Sequence, residues 1–194
     1  MSSPSSAYAL VEDKRHRQFI YRFLVHAGFN QNKITVEVSP PGRGSGKKWV
    51  CDQFAVQVAL CRRRNAKTST CLFAMMDADQ LAVTRCIDDL DAVLATANQP
   101  KLNAAKDPVA RLIPKWSIET WILYLSSNGA ANPPVREDKS YKDSSTSDQW
   151  TELVPQATKT LYAWTRAAGS RPESLLDSLQ HALQEIPRAL SERR

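Results

Sequence analysis

Three acidic signals stand where apolar runs end: Glu12 after residues 8–11 (YALV), the pair Asp77 and Asp79 after residues 71–76 (CLFAMM), and Glu119 within IPKWSIETW. An ionised carboxylate beside a buried strand is costly unless it is paired or coordinated. Oxygen donors of this kind suit Mg²⁺ or Mn²⁺ rather than zinc. Such an ion orients water and offsets charge on a phosphoryl group in transfer. Each acid also has an ordinary use. Glu12 and Glu119 could complement a helix dipole, and Asp77 and Asp79 could make a turn or cap the next helix.

The elements that would position these acids follow from periodicity. Residues 8–11 read as a strand. After Glu12, His16, Ile20, Phe23 and Ala27 share one helical face, and Gly28 is a natural stop. His16 opens that stripe, which suits either a hydrogen-bonded core histidine or a ligand. Residues 34–38 (ITVEV) alternate as a strand, and SPPGRGSG after them is a loop. A helix resumes at Lys48 and runs to the basic stretch RRRNAK. Residues 71–76, continuously apolar, predict a strand covered on both faces. A helix over 81–97, a short run over 109–113 and a helix from Ser117, capped by its own hydroxyl, complete the core. Strands alternating with helices predict an α/β fold with a mostly parallel four-stranded sheet flanked by helices. In such a sheet the residues just past the carboxyl ends of adjacent strands gather along one edge, where ligands bind.

Residues 126–148 turn polar, rich in Ser, Asn, Pro, Asp and Lys, and read as a mobile loop. It separates a core over 7–125 from a C-terminal helical appendage over 149–190. The appendage reads as helices at 150–168 and 172–190, interrupted or ended by Pro155 and Pro187, with the last four residues frayed.

The chain has 194 residues, 42% of them hydrophobic, enough for one packed core rather than two full domains. No apolar stretch reaches the roughly 18 residues that span a bilayer, and the first residues lack the order of a secretory signal, so a cytoplasmic protein is expected. Cys51, Cys61, Cys71 and Cys86 form no CxxC pair and read as reduced core thiols. The net charge is +6, and residues 33–67 alone carry that excess, eight basic residues against Glu37 and Asp52. Arg43, Lys47, Lys48, Arg62, Arg63 and Arg64 therefore form either a solvated basic face or a surface for DNA or RNA. The loop around Arg43 and Lys47 lacks the GxxxxGK[ST] spacing of a nucleotide triphosphate loop, but it leads into a helix N-terminus that can grip a nucleic-acid phosphate. Trp116 and Trp121 read as packing residues, with base stacking as the alternative.

VEDKRHRQF, AMMDAD and IPKWSIETW, in this order and at these distances, resemble a Toprim (topoisomerase-primase) domain over residues 7–125. They are closest to the small Toprim nucleases related to the overcoming-lysogenization-defect family. The resemblance implies metal ligation by Glu12, Asp77 and Asp79, a supporting role for Glu119, and two-metal phosphodiester cleavage assisted by a lysine, here Lys115. Members usually read Val-Glu-Gly with an acid four places after the glutamate, whereas here Asp13 replaces the glycine and His16 stands at the later position. Either Asp13 substitutes as a ligand, or His16 binds a softer ion such as Mn²⁺. Small members often act with a separate ATPase in defence against phage, so an ATPase partner is implied here, and the C-terminal helices could pack on the core, dimerise or bind a partner. The expected function is a metal-dependent nuclease. Its rivals are a nucleic-acid-binding or assembly subunit with a degraded site, and a primase-like phosphotransfer enzyme.

Overall fold

Alternation along the strands decides which helices cover which side of the sheet. The computed structural model describes residues 5–42, 44–65, 67–131, 134–140, 147–167 and 170–191. Four strands, β1 (Ser6–Val11), β2 (Ile34–Val38), β3 (Thr70–Met75) and β4 (Val109–Leu112), pair in the order β2-β1-β3-β4, every pair parallel. Ala7, Ala9, Val11, Phe73, Met75 and Leu112 point to one face, while Leu10, Leu72, Ala74 and Val109 point to the other. Both faces are apolar because both are covered, as the continuous run in β3 requires.

On the second face lie α2 (Gly46–Asn65) and α3 (Val83–Thr96). On the first lie α1 (Lys14–His26), α4 (Ile118–Ser126), α5 (Ser147–Arg166) and α6 (Asp177–Leu190). The fold is thus α/β with an all-parallel four-stranded sheet, an arrangement compatible with a Toprim-like fold. As the sequence suggests, α1 ends at Gly28. Its φ of +91° lets the Phe29 N–H turn back to the Leu24 carbonyl at 3.1 Å.

The two C-terminal helices share the core of the first face. Trp150, Val154, Leu161 and Trp164 of α5 and Leu179, Leu183 and Ile186 of α6 are buried with Phe19, Phe23 and Trp121. A buried ion network fastens α6 to β4. Arg111 donates to Glu185 through its backbone N–H (3.2 Å), Nε (3.1 Å) and Nη2 (3.2 Å), and through Nη1 to Asp91 of α3 (2.8 Å). Pro155 and Pro187 lie inside helices instead of ending them. Burial of the surrounding apolar stripe outweighs the roughly 3 kcal/mol that an interior proline costs.

Part of the segment read as a mobile loop is described and makes contacts: Glu137 accepts from the Ser178 N–H at 3.1 Å, near the start of α6. Residues 132–133 and 141–146 of that segment, residues 168 and 169 and the last three residues lie outside the described residues. Among the described residues, no helix is long and apolar enough to cross a membrane. Cys61, Cys71 and Cys86 are buried and Cys51 is partly buried.

Candidate metal centre

The order of the strands reverses between β1 and β3. The chain runs from β1 outward to β2, then returns to lay β3 on the other side of β1. At the carboxyl ends of these two strands sit Glu12 and Asp77, at the crevice where α/β sheets bind ligands. The Glu12 N–H donates to the Met75 carbonyl at 3.2 Å, and the Asp77 N–H donates to Glu12 Oε2 at 3.1 Å. Backbone pairing thus brings the two acids together although 65 positions separate them.

The third member comes from α1. Asp13 caps that helix, accepting at Oδ1 from the N–H groups of Arg15 (2.8 Å) and His16 (3.0 Å). The same oxygen lies 2.9 Å from His16 Nδ1, and His16 Nε2 lies 3.0 Å from Asp77 Oδ1. The imidazole is fully buried. One oxygen each from Glu12 and Asp77 and a ring nitrogen of His16 lie within 4.8 Å of one another, a donor set that fits a divalent cation. Asp13 holds the far ring nitrogen, the usual outer partner of a ligating histidine, and so does not act as a fourth donor of this group.

Electrostatics bind the cluster into one unit. Burial pushes the His16 pKa down, but the charge of Asp77 and the hydrogen bonds to Asp13 and Asp77 raise it well above the ordinary histidine value. Burial opposes ionisation of Asp13, yet the hydrogen bond and charge of His16 hold its carboxyl well below the usual carboxylate range. Glu12 moves the other way. Burial raises its pKa, the charges of Asp77 and Asp79 add to that, and His16 and the Asp77 N–H only partly offset them. A cation beside Glu12 would relieve that crowding.

The remaining expected residues are divided by the fold. Asp79, at φ +54°, lines a cleft of about 580 Å³ next to the centre, together with Lys47, Gln80, Leu81, Trp116 and Lys139. Glu119 is buried and paired with Arg15 of α1, which keeps it out of the metal-sized group. Lys115 Nζ donates to the Leu81 carbonyl at 2.5 Å and lies 5.1 Å from the centre of the Trp116 ring. Trp121 is fully buried and donates from Nε1 to Ser178 Oγ at 2.7 Å, a packing residue.

The basic segment is split by its own helix. Lys47 and Lys48 open α2 beside the centre, where Lys47 Nζ donates to the Ala78 carbonyl at 3.1 Å and Lys48 pairs with Asp52 at 2.6 Å. Arg62, Arg63 and Arg64 close that helix at the amino ends of the strands, about 24 Å away at 1.5 Å per residue. There Arg62 is held by Asp107 (2.9 and 2.8 Å), and Arg64 lies 5.9 Å from the centre of the Tyr8 ring. The five described cations therefore do not form one surface with the acids, and Arg43 lies outside the described residues.

Sequence reasoning missed Gly46. A Cβ at this position would stand 2.6 Å from both Glu12 Cγ and the Glu12 carbonyl oxygen, so only glycine lets α2 begin against that acid. Its signal was the glycine-rich stretch itself, which fits close backbone approach as well as flexibility. The hydroxyl of Ser117, expected to cap α4, has no hydrogen-bond partner among the described residues and makes no cap bond. Compared with protein families, curated proteins and solved structures, the chain matches none.

Proposed function

We propose that this chain is a metal-dependent phosphodiesterase acting on nucleic acid. The observation that carries the reading is the Glu12–His16–Asp77 donor group at the point where the sheet reverses direction. Glu12, Asp77 and His16 Nε2 would hold the cation, with Asp13 fixing the ring through Nδ1. The cation would polarise a phosphodiester and lower the pKa of a coordinated water. Lys47 and the first turn of α2, beside Ala78, supply positive charge for non-bridging phosphate oxygens. Asp79, which lines the cleft, is the acid best placed to meet substrate. The order of Glu12, the Asp77/Asp79 pair and Glu119 supports kinship with the Toprim nucleases, and an ATPase partner belongs to that same proposal.

The test is cleavage of supercoiled DNA, single-stranded DNA and RNA by the purified chain in Mg²⁺, Mn²⁺ or EDTA, beside Asp77→Asn and His16→Ala. Metal-dependent cutting lost in both variants is the expected result. Metal binding without cutting of any substrate would overturn it.

One observation favours a second reading, a nucleic-acid-binding subunit that does not cut. His16 can satisfy Asp13 and Asp77 by itself as an imidazolium, which makes the cluster a self-contained structural unit. Failure to bind Mn²⁺ or Mg²⁺, with nucleic-acid binding intact, would select that reading.

A further inference from the structure

We infer that the cleft beside Asp79 receives an unpaired nucleotide whose base stacks on Trp116, so that the substrate is single-stranded nucleic acid. The inference rests on the phosphodiesterase reading for its chemistry, but its own evidence is the cleft. Trp121, Trp150 and Trp164 are buried in the core of the first face. Trp116 is half-buried, belongs to neither core and opens onto the cleft.

Its backbone is held at φ +66°, and the Ser117 N–H closes a tight turn onto the Lys115 carbonyl at 2.8 Å. A bulky residue at the centre of such a γ-turn is rare and strained. Glycine would make the turn without strain. The ring lies outside both cores, has Lys115 Nζ 5.1 Å from its centre and lines the cleft, which points to a use for its remaining surface there.

The cleft has the chemistry of a nucleotide site. Its volume falls within the roughly 300–1,000 Å³ of small-ligand pockets. Trp116 and Leu81, one of two large hydrophobic residues exposed among the described residues, offer an apolar face to a base. Lys47 and Lys139 offer cations to backbone phosphates, and Gln80 offers an amide to a base edge. Asp79 joins the cleft to the metal group two residues away, so a base seated on Trp116 would bring its own phosphate toward that group. In a duplex the face of a base is covered by its neighbours. In a single strand it is free to stack.

The experiment uses the full chain in EDTA, so that no cleavage occurs. Fluorescence anisotropy would follow binding of a labelled 12-mer as single-stranded DNA, single-stranded RNA and duplex DNA, for wild type, Trp116→Phe and Trp116→Gly. The wild type is expected to prefer one or both single strands over the duplex. Trp116→Gly should weaken single-strand binding by roughly 5- to 150-fold, the range of one lost stacking contact, without changing the salt dependence. Trp116→Phe should retain most of the affinity. Glycine relieves the strain of the γ-turn but gives up the half-buried ring, so the melting temperature of Trp116→Gly should stay within a few degrees of the wild type, which separates lost stacking from lost folding. Equal binding of duplex and single strands, wild-type binding by Trp116→Gly, or no binding of any form would overturn the inference. Absent cleavage in Mg²⁺ or Mn²⁺ alongside intact single-strand preference would instead remove the phosphodiesterase reading and leave the cleft assigned.

Discussion

His16 Nε2 lies 3.0 Å from Asp77 Oδ1, a contact between two buried side chains 61 positions apart that ties the first turn of α1 to the end of β3. It makes one residue both a structural partner and a candidate ligand. Asp77→Ala would take away one of the two carboxylates that hold the buried imidazole, leaving Asp13 at Nδ1, and should cost about 1.5–3 kcal/mol, read by urea denaturation in EDTA. Asp77→Asn keeps the shape and a hydrogen-bonding group and should cost markedly less. Equal stability of all three proteins would show that the contact does not anchor the fold.

The same contact sets the pH dependence of metal binding. His16 must give up its Nε2 proton to become a ligand, so binding should release one proton. Affinity should then rise about tenfold per pH unit below the raised pKa of His16. Calorimetry with Mn²⁺ in two buffers of different ionisation enthalpy measures that proton directly. Because a ring nitrogen is among the donors, Mn²⁺ should also bind more tightly than Mg²⁺. Proton-free binding with Mg²⁺ preferred would remove His16 from the shell.

Stability of the metal-free protein should peak on the acid side of neutrality. The folded pKa of His16 is raised, so its stabilisation is complete below 6.5 and is lost as pH rises through the folded value. Asp13 is lowered, so its contribution is complete above 3.8 and is lost as pH falls through the folded value. Glu12 is raised, so stability falls as pH rises from 4.5 through its folded value. The three together place the maximum between about pH 4 and 6.5. Glu12→Gln should flatten the alkaline decline and raise the melting temperature at pH 8 by a few degrees while reducing metal affinity. A melting temperature that climbs steadily from pH 5 to pH 8 in the wild type would contradict all of this.

Gly46→Ala places a methyl group 2.6 Å from Glu12 Cγ and from the Glu12 carbonyl oxygen. Displacing the start of α2 should cost roughly 1–3 kcal/mol, offset in part by the better helix propensity of alanine. Mn²⁺ affinity should fall with it, because Glu12 moves. Unchanged stability and affinity would mean that the contact relaxes freely.

The two ends of α2 should behave differently. Lys47→Ala is expected to weaken nucleic-acid binding and cleavage. Arg63→Ala with Lys67→Ala, both exposed at the far end, should leave cleavage within about twofold and stability within about 0.5 kcal/mol. Arg62→Ala should destabilise by about 1–3 kcal/mol, because Asp107 is buried and loses both bonds. Cleavage that depends on Arg63 and Lys67 would extend the substrate path to the amino ends of the strands.

What the sequence determined by itself was local. The apolar run in β3, the alternation in β2, the helical stripe from His16 and the stop at Gly28 set the elements and their order, because side-chain period and glycine geometry are properties of neighbouring residues. That Glu12 and Asp77 end their strands was legible for the same reason. Their meeting was legible only on the condition that β3 lies beside β1, and that pairing is decided by the tertiary structure. Tertiary packing also decided that Asp13 holds His16 rather than joining the donor group, that Arg15 takes up Glu119, and that a 20-residue helix carries Arg62–Arg64 away from the acids. Pro155 and Pro187 show the same division. Each breaks helices by local propensity, and each is overruled by a buried face whose partners lie far along the chain. Hydrogen bonds and burial between distant residues are free energies of the folded arrangement, and no window of the sequence contains them.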